Sequence, residues 1–151
     1  MNDDSRGMDA QAVAEAVRRG MLADDAATRG LGMTIEAVGP GYARIAMTVR
    51  EDMLNGFRIC HGGFVTTLAD SAFAFACNSY NEMTVASGIV VDFLAPGQLG
   101  DRLVAECHEV ARTGRTGVYD VKVTDQNGRA VVVMRGRSHT LKDKPVVRLG
   151  E

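Results

Sequence analysis

The sequence lacks an excess of either charge, a long apolar run and any paired cysteine motif. Because 17 basic residues stand against 19 acidic ones, the chain has no overall positive field that would attract nucleic acid or an anionic membrane. No apolar run approaches the roughly 20 residues that span a bilayer, and residues 1–7 are too polar for a signal peptide. We therefore expect a cytoplasmic protein without a nucleic-acid or membrane partner.

The three cysteines, Cys60, Cys77 and Cys107, are odd in number and form no C-x-x-C pair. This usage is typical of reduced thiols rather than of a disulfide framework. Cys107 and His108 are neighbours in a predicted strand, so their side chains should point to opposite faces. A phosphate-binding loop, a dinucleotide-binding glycine pattern and a G-x-S-x-G motif are also missing. We therefore expect no metal, no cofactor and no serine-hydrolase chemistry.

The patterns that are present describe one globular domain, which we place at residues 1–151 with a core at 32–141. Apolar residues at four-residue spacing predict an N-terminal helix at 9–28, and a segment apolar on nearly every side predicts a buried helix at 64–78. Alternation of apolar and polar residues predicts strands at 41–50, 84–94, 102–112, 117–125 and 129–141. This order predicts an α+β fold, in which a long antiparallel sheet wraps around one buried helix and its last four strands form a meander.

Asp70 is the unusual residue of the second helix, because it interrupts the most apolar segment of the chain. The residues three and four positions away include no lysine or arginine, so no local cation can pair with its carboxylate. Burial would raise the pKa of such a carboxyl group. A structural aspartate, hydrogen-bonded to neighbouring amides or hydroxyls, is the alternative to a catalytic one.

Gly62 and Gly63 lie where this helix begins, so their amides are candidates for binding an oxygen that becomes negative during acyl transfer. A simple flexible turn is the alternative. Gly62 and Asp70 are eight residues apart, which corresponds to a rise of roughly 12 Å along a helix. Because both groups would have to lie about 3 Å from the reacting atoms, one chain cannot supply both to one substrate. If both are catalytic, the site must lie between two subunits related by a two-fold axis.

Several segments carry a family resemblance. They are N-G-F-R-I-C-H-G-G at 55–63, L-A-D at 68–70, A-F-A-F-A-C-N at 72–78, V-D-F-L-A-P-G at 91–97, T-G-V-Y-D at 116–120 and R-G-R-S-H at 135–139. In this order the segments resemble the hotdog-fold thioesterases of the PaaI type, which belong to the phenylacetate-degradation thioesterases. The resemblance covers most of the chain from Gly32 to Leu141.

The resemblance implies a hotdog fold, a homodimer as the minimal active unit, and a homotetramer built from two dimers. It implies that Asp70 acts on an acyl-CoA thioester as general base or nucleophile and that the Gly62 amide polarises the thioester carbonyl. It also implies that Asn55 and His61 help to place the thioester or the water. Asn55 as a turn residue and His61 as a brace for the loop are the alternatives.

Further candidates concern the rest of the substrate. Ser87 is a candidate for orienting water, and Arg115 and Thr116, by a loose positional resemblance, are candidates for contacting the CoA phosphates. The acyl group, either (hydroxy)phenylacetyl or a medium aliphatic chain, would be lined from both subunits by Leu54, Phe57, Phe64 and Phe73.

Two other functions remain open at this point. A hotdog hydratase or dehydratase would need His61 as the proton-transfer partner of a carboxylate. A non-catalytic acyl-CoA-binding module would be expected to lack the carboxylate or to carry a DNA-binding segment.

Overall fold

The computed structural model describes residues 7–150; residues 1–6 and 151, which include most of the polar N-terminus, lie outside the described part. The N-terminal segment forms two helices, α1 (Ala10–Asp24) and α2 (Ala26–Gly30), rather than the single predicted helix. Asp9 caps α1 by accepting a hydrogen bond from the Ala12 amide at 2.7 Å. Asp25 separates the two helices because its carboxylate instead accepts from the amide and the hydroxyl of Thr28.

Six strands form one antiparallel sheet in the order β1-β2-β4-β5-β6-β3. Their bounds are β1 Thr34–Gly39, β2 Tyr42–Thr48, β3 Thr84–Phe93, β4 Arg102–Thr113, β5 Thr116–Thr124 and β6 Ala130–Thr140. β1 was not predicted. A bulge between Ile35 and Ala37 interrupts the alternation of inward and outward side chains by which a strand is recognised.

The predicted meander is correct for β4, β5 and β6 but wrong for β3. β3 pairs with β6 and lies at the edge of the sheet, whereas β4 pairs with β2 in the interior. The connection between β3 and β4 therefore crosses the sheet. Backbone hydrogen bonds from Cys60 to Gly97 and from Gly100 to Val49 hold this crossing segment in place.

The central helix α3 (Gly62–Cys77) packs on one face of the sheet. Most of its side chains are buried among the strands, including Leu68, Phe73 and Phe75. A Cβ atom at Gly136 would lie only 2.8 Å from the Phe73 ring, so the glycine on β6 allows the helix to approach closely. This architecture confirms the predicted sheet wrapped around a helix, and none of the helices within residues 7–150 has the length and apolarity to cross a membrane.

One side of α3 is not covered, contrary to the prediction of a helix buried all round. Gly63 and Asp70 are exposed, and Thr67 and Ala74 are half-buried. Their spacing of three and four residues places the four on one stripe, which we call the open face of α3. The sheet curls around the other sides of the helix and leaves this stripe uncovered.

Asn78 joins the end of α3 to the start of β3. Its side-chain Nδ2 donates to the carbonyls of Ala74 and Thr84, and its Oδ1 accepts from the Thr84 amide at 2.9 Å. The side chain is buried, with 6% of its surface exposed. The central helix and the edge strand are therefore fixed to each other by one amide group.

Replacing Asn78 by alanine should lower the free energy of unfolding by about 2 kcal/mol, because buried polar groups of Thr84 lose their partners. Chemical denaturation at a fixed protein concentration measures the change. Asn127→Ala, at an exposed turn, is the control and should change stability by less than about 0.5 kcal/mol. An Asn78→Ala protein as stable as the wild type would contradict this account of the junction.

Candidate active site

A cavity of about 420 Å³ lies at the start of α3. Its walls come from the loop before the helix, the first turn of the helix, the segment after β3 and one residue of β6. We call it the entrance cavity; it is lined by Asn55, Ile59, Cys60, Gly62, Val65, Phe93, Leu94, Ala95, Pro96, Gly97 and Val131. Most of these groups are apolar, so a ligand held here would be largely removed from water.

The Gly62 amide lies at this cavity as the first residue of α3. Among residues 7–150, no acceptor takes its N–H. The N–H lies at the positive end of a 16-residue helix, where an oxygen that gains negative charge is stabilised. The structure therefore presents Gly62 as a free donor at the wall of an apolar cavity.

His61 has a different role from that of Gly62. Its side chain caps α3, because Nδ1 accepts a hydrogen bond from the Gly63 amide at 3.0 Å. Its ring also lies edge-on to Phe64, with 6.3 Å between the ring centroids. The Gly63 amide is thus already engaged within the chain, and of the two glycine amides only that of Gly62 is open to a ligand.

Asn55 both closes a turn and lines the entrance cavity. Its Oδ1 accepts from the amides of Phe57 at 2.9 Å and Ile59 at 3.3 Å, which closes a tight turn. Arg58 in that turn adopts a positive φ of 59°. The side-chain Nδ2 has no acceptor within residues 7–150, and Asn55 lines the entrance cavity. The turn therefore fixes a second free donor beside that of Gly62.

Cys60 is the thiol in the wall of this cavity. Burial raises the pKa of the Cys60 thiol above its usual range. Because the thiolate is the nucleophilic form, this cysteine is a poor nucleophile.

Within the described chain, no three His, Cys, Asp or Glu side chains lie close enough together to hold a metal ion.

Asp70 lies on the open face of α3 and not in the entrance cavity. We expected it to be buried; within one chain it is exposed, because the sheet leaves this side of the helix uncovered. Even so, desolvation by the surrounding protein raises the pKa of its carboxyl group above the usual aspartate value. No cation or hydrogen-bond donor from residues 7–150 contacts the carboxylate. The described chain therefore gives the Asp70 carboxylate no structural partner.

The remaining candidates lie elsewhere. Ser87 is exposed on β3, where its hydroxyl donates to the Arg137 carbonyl at 3.2 Å. Arg115 and Thr116 lie at the hairpin between β4 and β5, with Thr116 opposite His139. Within one chain the structure brings Asn55 and Gly62 together. It does not bring Asp70, Ser87, Arg115 or Thr116 to the same cavity.

The lining predicted from both subunits is wrong for Phe73, and the other three predicted residues do not line the cavity of one chain. Phe73 is buried in the core against Tyr119, with ring centroids 5.5 Å apart, and Phe57 is 88% exposed. Leu54 and Phe64 are half-buried and do not line the cavity either. Phe93 supplies the aromatic wall instead. Its segment, V-D-F-L-A-P-G, was noted only as part of the resemblance, because the spacing of the sequence does not place β3 beside the start of α3.

With this geometry the chain can be compared with known proteins. The sequence profile of the thioesterase superfamily matches residues 57–132, half of the chain. The acyl-coenzyme A thioesterase PaaI of Escherichia coli K12 is 43% identical over 121 residues, which are 80% of this chain and 86% of that protein. The chain belongs to the thioesterase superfamily.

Solved structures extend the similarity to the fold of this superfamily. The PaaI protein from the phenylacetic acid degradation operon of E. coli matches with a TM-score of 0.87 and 40% identity, covering 88% of this chain and 96% of that one. A hypothetical thioesterase from Streptococcus pneumoniae, solved with coenzyme A, matches with a TM-score of 0.71 and 26% identity, covering 74% and 90%. These matches confirm the hotdog fold that the resemblance implied.

The cap formed by His61 generates a prediction that separates a positioning role from proton transfer. His61→Asn should keep the helix cap and most of the thioesterase activity, because asparagine is a favourable capping residue. His61→Ala should lose about 1 kcal/mol of stability and lower activity by displacing the Gly62 amide. Thermal unfolding and the release of CoA thiol measure the two effects. Equal inactivation of both variants, with His61→Asn fully folded, would instead indicate that His61 transfers a proton.

Proposed function

We propose that this protein hydrolyses acyl-CoA thioesters at sites shared between two subunits. In each site, Gly62 of one subunit polarises the thioester carbonyl and Asp70 of the other acts as general base or nucleophile. The observation that carries the proposal is that Gly62 and Asp70, about 12 Å apart along one helix, are both left without partners within the described chain. The membership in the thioesterase superfamily and the acyl-coenzyme A thioesterase activity named for the E. coli relative support it.

The edge strand β3 supports the two-subunit arrangement. No strand within residues 7–150 pairs with its outer edge, and it exposes apolar side chains, including Val85 at 47% and Val90 at 61%. Natural proteins protect such edges with charges, proline or bulges, or pair them with another chain. Lysine and proline are absent from β3, and its bulge faces β6. Pairing of two β3 strands would join the two sheets and cover this surface.

An antiparallel pair of β3 strands places two α3 helices side by side and in opposite directions, because the helices lie on the same face of the joined sheet. The open face of each helix then meets the partner helix. This contact would cover Asp70 and bring it toward the amide end of the partner's helix. A further pairing of such dimers into the homotetramer implied by the resemblance completes the proposed assembly.

The chemistry follows from these groups. The thioester carbonyl oxygen accepts hydrogen bonds from the Gly62 N–H and the Asn55 Nδ2, which stabilise its developing negative charge. Asp70 of the other subunit either removes a proton from the attacking water or attacks the carbonyl carbon itself. A carbon–oxygen bond forms, the carbon–sulfur bond breaks, and CoA leaves as its thiolate, which takes up the proton released by the water. If Asp70 is the nucleophile, water then hydrolyses the resulting anhydride and restores the carboxylate. The cap gives His61 a structural role, whereas the hydratase alternative would need this histidine for proton transfer.

The two ends of the substrate are assigned to different parts of the chain. The entrance cavity, which is apolar and about 420 Å³ in volume, suits a (hydroxy)phenylacetyl or medium-chain acyl group. Arg115 and Thr116 are the proposed contacts for the CoA phosphates, with Ser87 as a further group for orienting water. Arg137, on the neighbouring strand β6, adds positive charge next to this hairpin. We place the reaction in the cytoplasm, with each subunit contributing its single domain to the shared sites.

Removal of the carboxylate should abolish most of the activity. Asp70→Asn should remain folded and release CoA from phenylacetyl-CoA or a medium-chain acyl-CoA about 100-fold more slowly, or worse. The pKa of the Asp70 carboxyl group is raised, so on acidification this group is protonated at a higher pH than an ordinary aspartate. As the pH is lowered, the wild-type rate should therefore begin to fall while the pH is still above the usual titration range of aspartate. Asp24→Asn, at an exposed position of α1, is the control. A fully active Asp70→Asn protein would leave this aspartate a structural residue.

The shared site has a complementation test. Gly62→Pro removes the N–H, and proline is tolerated at the first residue of a helix. Gly62→Ala adds a side chain but keeps the N–H, so it is the matched control. When inactive Asp70→Asn and Gly62→Pro subunits are unfolded together and reassembled, mixed dimers should regain one of two sites, about half of the wild-type rate. Confirmed mixed dimers without activity would contradict the shared site.

A further inference from the structure

Phe93, the last residue of β3, lies directly against the first residue of α3. A Cβ atom added at Gly62 would be 2.9 Å from Cε1 of the Phe93 ring and 3.0 Å from Cζ. The ring therefore rests on the glycine Cα and leaves no room for a side chain there. Phe93 is also 59% exposed, so its ring is a cover on the helix start and not a part of the core.

The same ring forms one wall of the entrance cavity. The inner walls are rigid by comparison, because Cys60, Val65 and Val131 are buried in the core with 5%, 2% and 1% of their surfaces exposed. Enlarging the cavity at those positions would remove core packing. At Phe93 the cavity is bounded instead by a side chain that lies outside the core and is largely exposed in the single chain.

We propose that Phe93 is a specificity-determining residue, whose ring closes the entrance cavity beside the Gly62 N–H and limits the size of the acyl group. The inference rests on the proposed function of this cavity as the acyl site. The ring has a second effect, because an apolar group next to the Gly62 amide keeps water away from it. A hydrogen bond from that amide to the thioester carbonyl is then stronger than in water.

The Phe93 ring should favour compact acyl groups over long ones. A small or compact acyl group fits between the ring and the inner walls, whereas a long or bulky group must push the ring outward. Shortening Phe93 to alanine opens the cavity to solvent on that side. The variant should therefore lose affinity for compact acyl groups, which no longer fill the space, and gain affinity for longer ones.

The test measures binding separately from hydrolysis by using CoA thioethers, which have no carbonyl to hydrolyse. The dissociation constants of S-hexyl-CoA and S-dodecyl-CoA are determined by calorimetry for the wild type, Phe93→Ala and Phe93→Leu. We expect Phe93→Ala to shift the ratio of the two constants toward the longer chain by at least about tenfold, and Phe93→Leu to shift it in the same direction by less. Val110→Ala, comparably exposed at 52% on β4 and outside the cavity, is the matched control and should leave the ratio unchanged.

A double-mutant cycle tests the contact itself. Because the atoms that a new Cβ would meet are the far end of the Phe93 side chain, Gly62→Ala should fold and displace the ring. It should therefore shift the binding ratio in the wild-type background and have little further effect in the Phe93→Ala background. Additive effects of the two substitutions would contradict the contact as the source of specificity.

The outcomes distinguish this inference from the proposed function. An unchanged ratio in Phe93→Ala, with the oligomeric state preserved in light scattering, overturns the role of Phe93 even if the wild type hydrolyses acyl-CoA. A shifted ratio supports it even if hydrolysis is absent, in which case the proposed catalytic function fails alone. Failure of both thioethers to bind the wild type overturns the assignment of this cavity to the acyl group.

Discussion

The close contact between Phe73 of the central helix and the backbone of Gly136 fixes how deeply α3 lies in the curve of the sheet. Any larger residue at position 136 would lift the helix, because an added Cβ would overlap the Phe73 ring. The height of the helix in turn determines where its first amides and its uncovered side are found. Both halves of the proposed site therefore depend on a packing contact that no substrate touches.

At the start of this helix, polar side chains hold the backbone while neighbouring donors are left free. His61 and Asn55 use one atom each to hold the local backbone, and Asn55 and Gly62 line the cavity. Asp70 has no such support within the described chain. Because desolvation raises the pKa of its carboxyl group, the charged form of Asp70 does not stabilise the single chain.

The sequence predicted the elements with strong local signals. The apolar run of α3 and the alternation along the four long strands place these elements within a few residues of their observed bounds. Relations between distant segments were not predictable in this way. The edge position of β3 and the contact of Phe93 with Gly62 arise from long-range pairing, and β1 was missed because a bulge breaks its pattern.

The same distinction applies to the site. Asp70, Gly62 and the H-G-G motif were identified from their chemistry and from a family resemblance, and the atoms that each leaves free were visible only in the structure. Sequence reasoning placed Phe73 in the pocket, together with Leu54, Phe57 and Phe64, because such side chains suit an aromatic or aliphatic acyl group. A helix position gives no indication of which side faces the sheet unless the sheet itself is known, and this is why the aromatic lining had to be reassigned to Phe93.

The position of β3 also has a consequence for how the protein is made. Among the strands of residues 7–150, β3 pairs with β6 alone, from Thr84 opposite Thr140 to Phe93 opposite Val132, so it is synthesised well before the strand that orders it. Its apolar outer edge is organised for pairing only once β6 has left the ribosome. Association between subunits is thereby deferred until the sheet can close, which reduces the time for which a half-formed sheet could pair with the wrong neighbour.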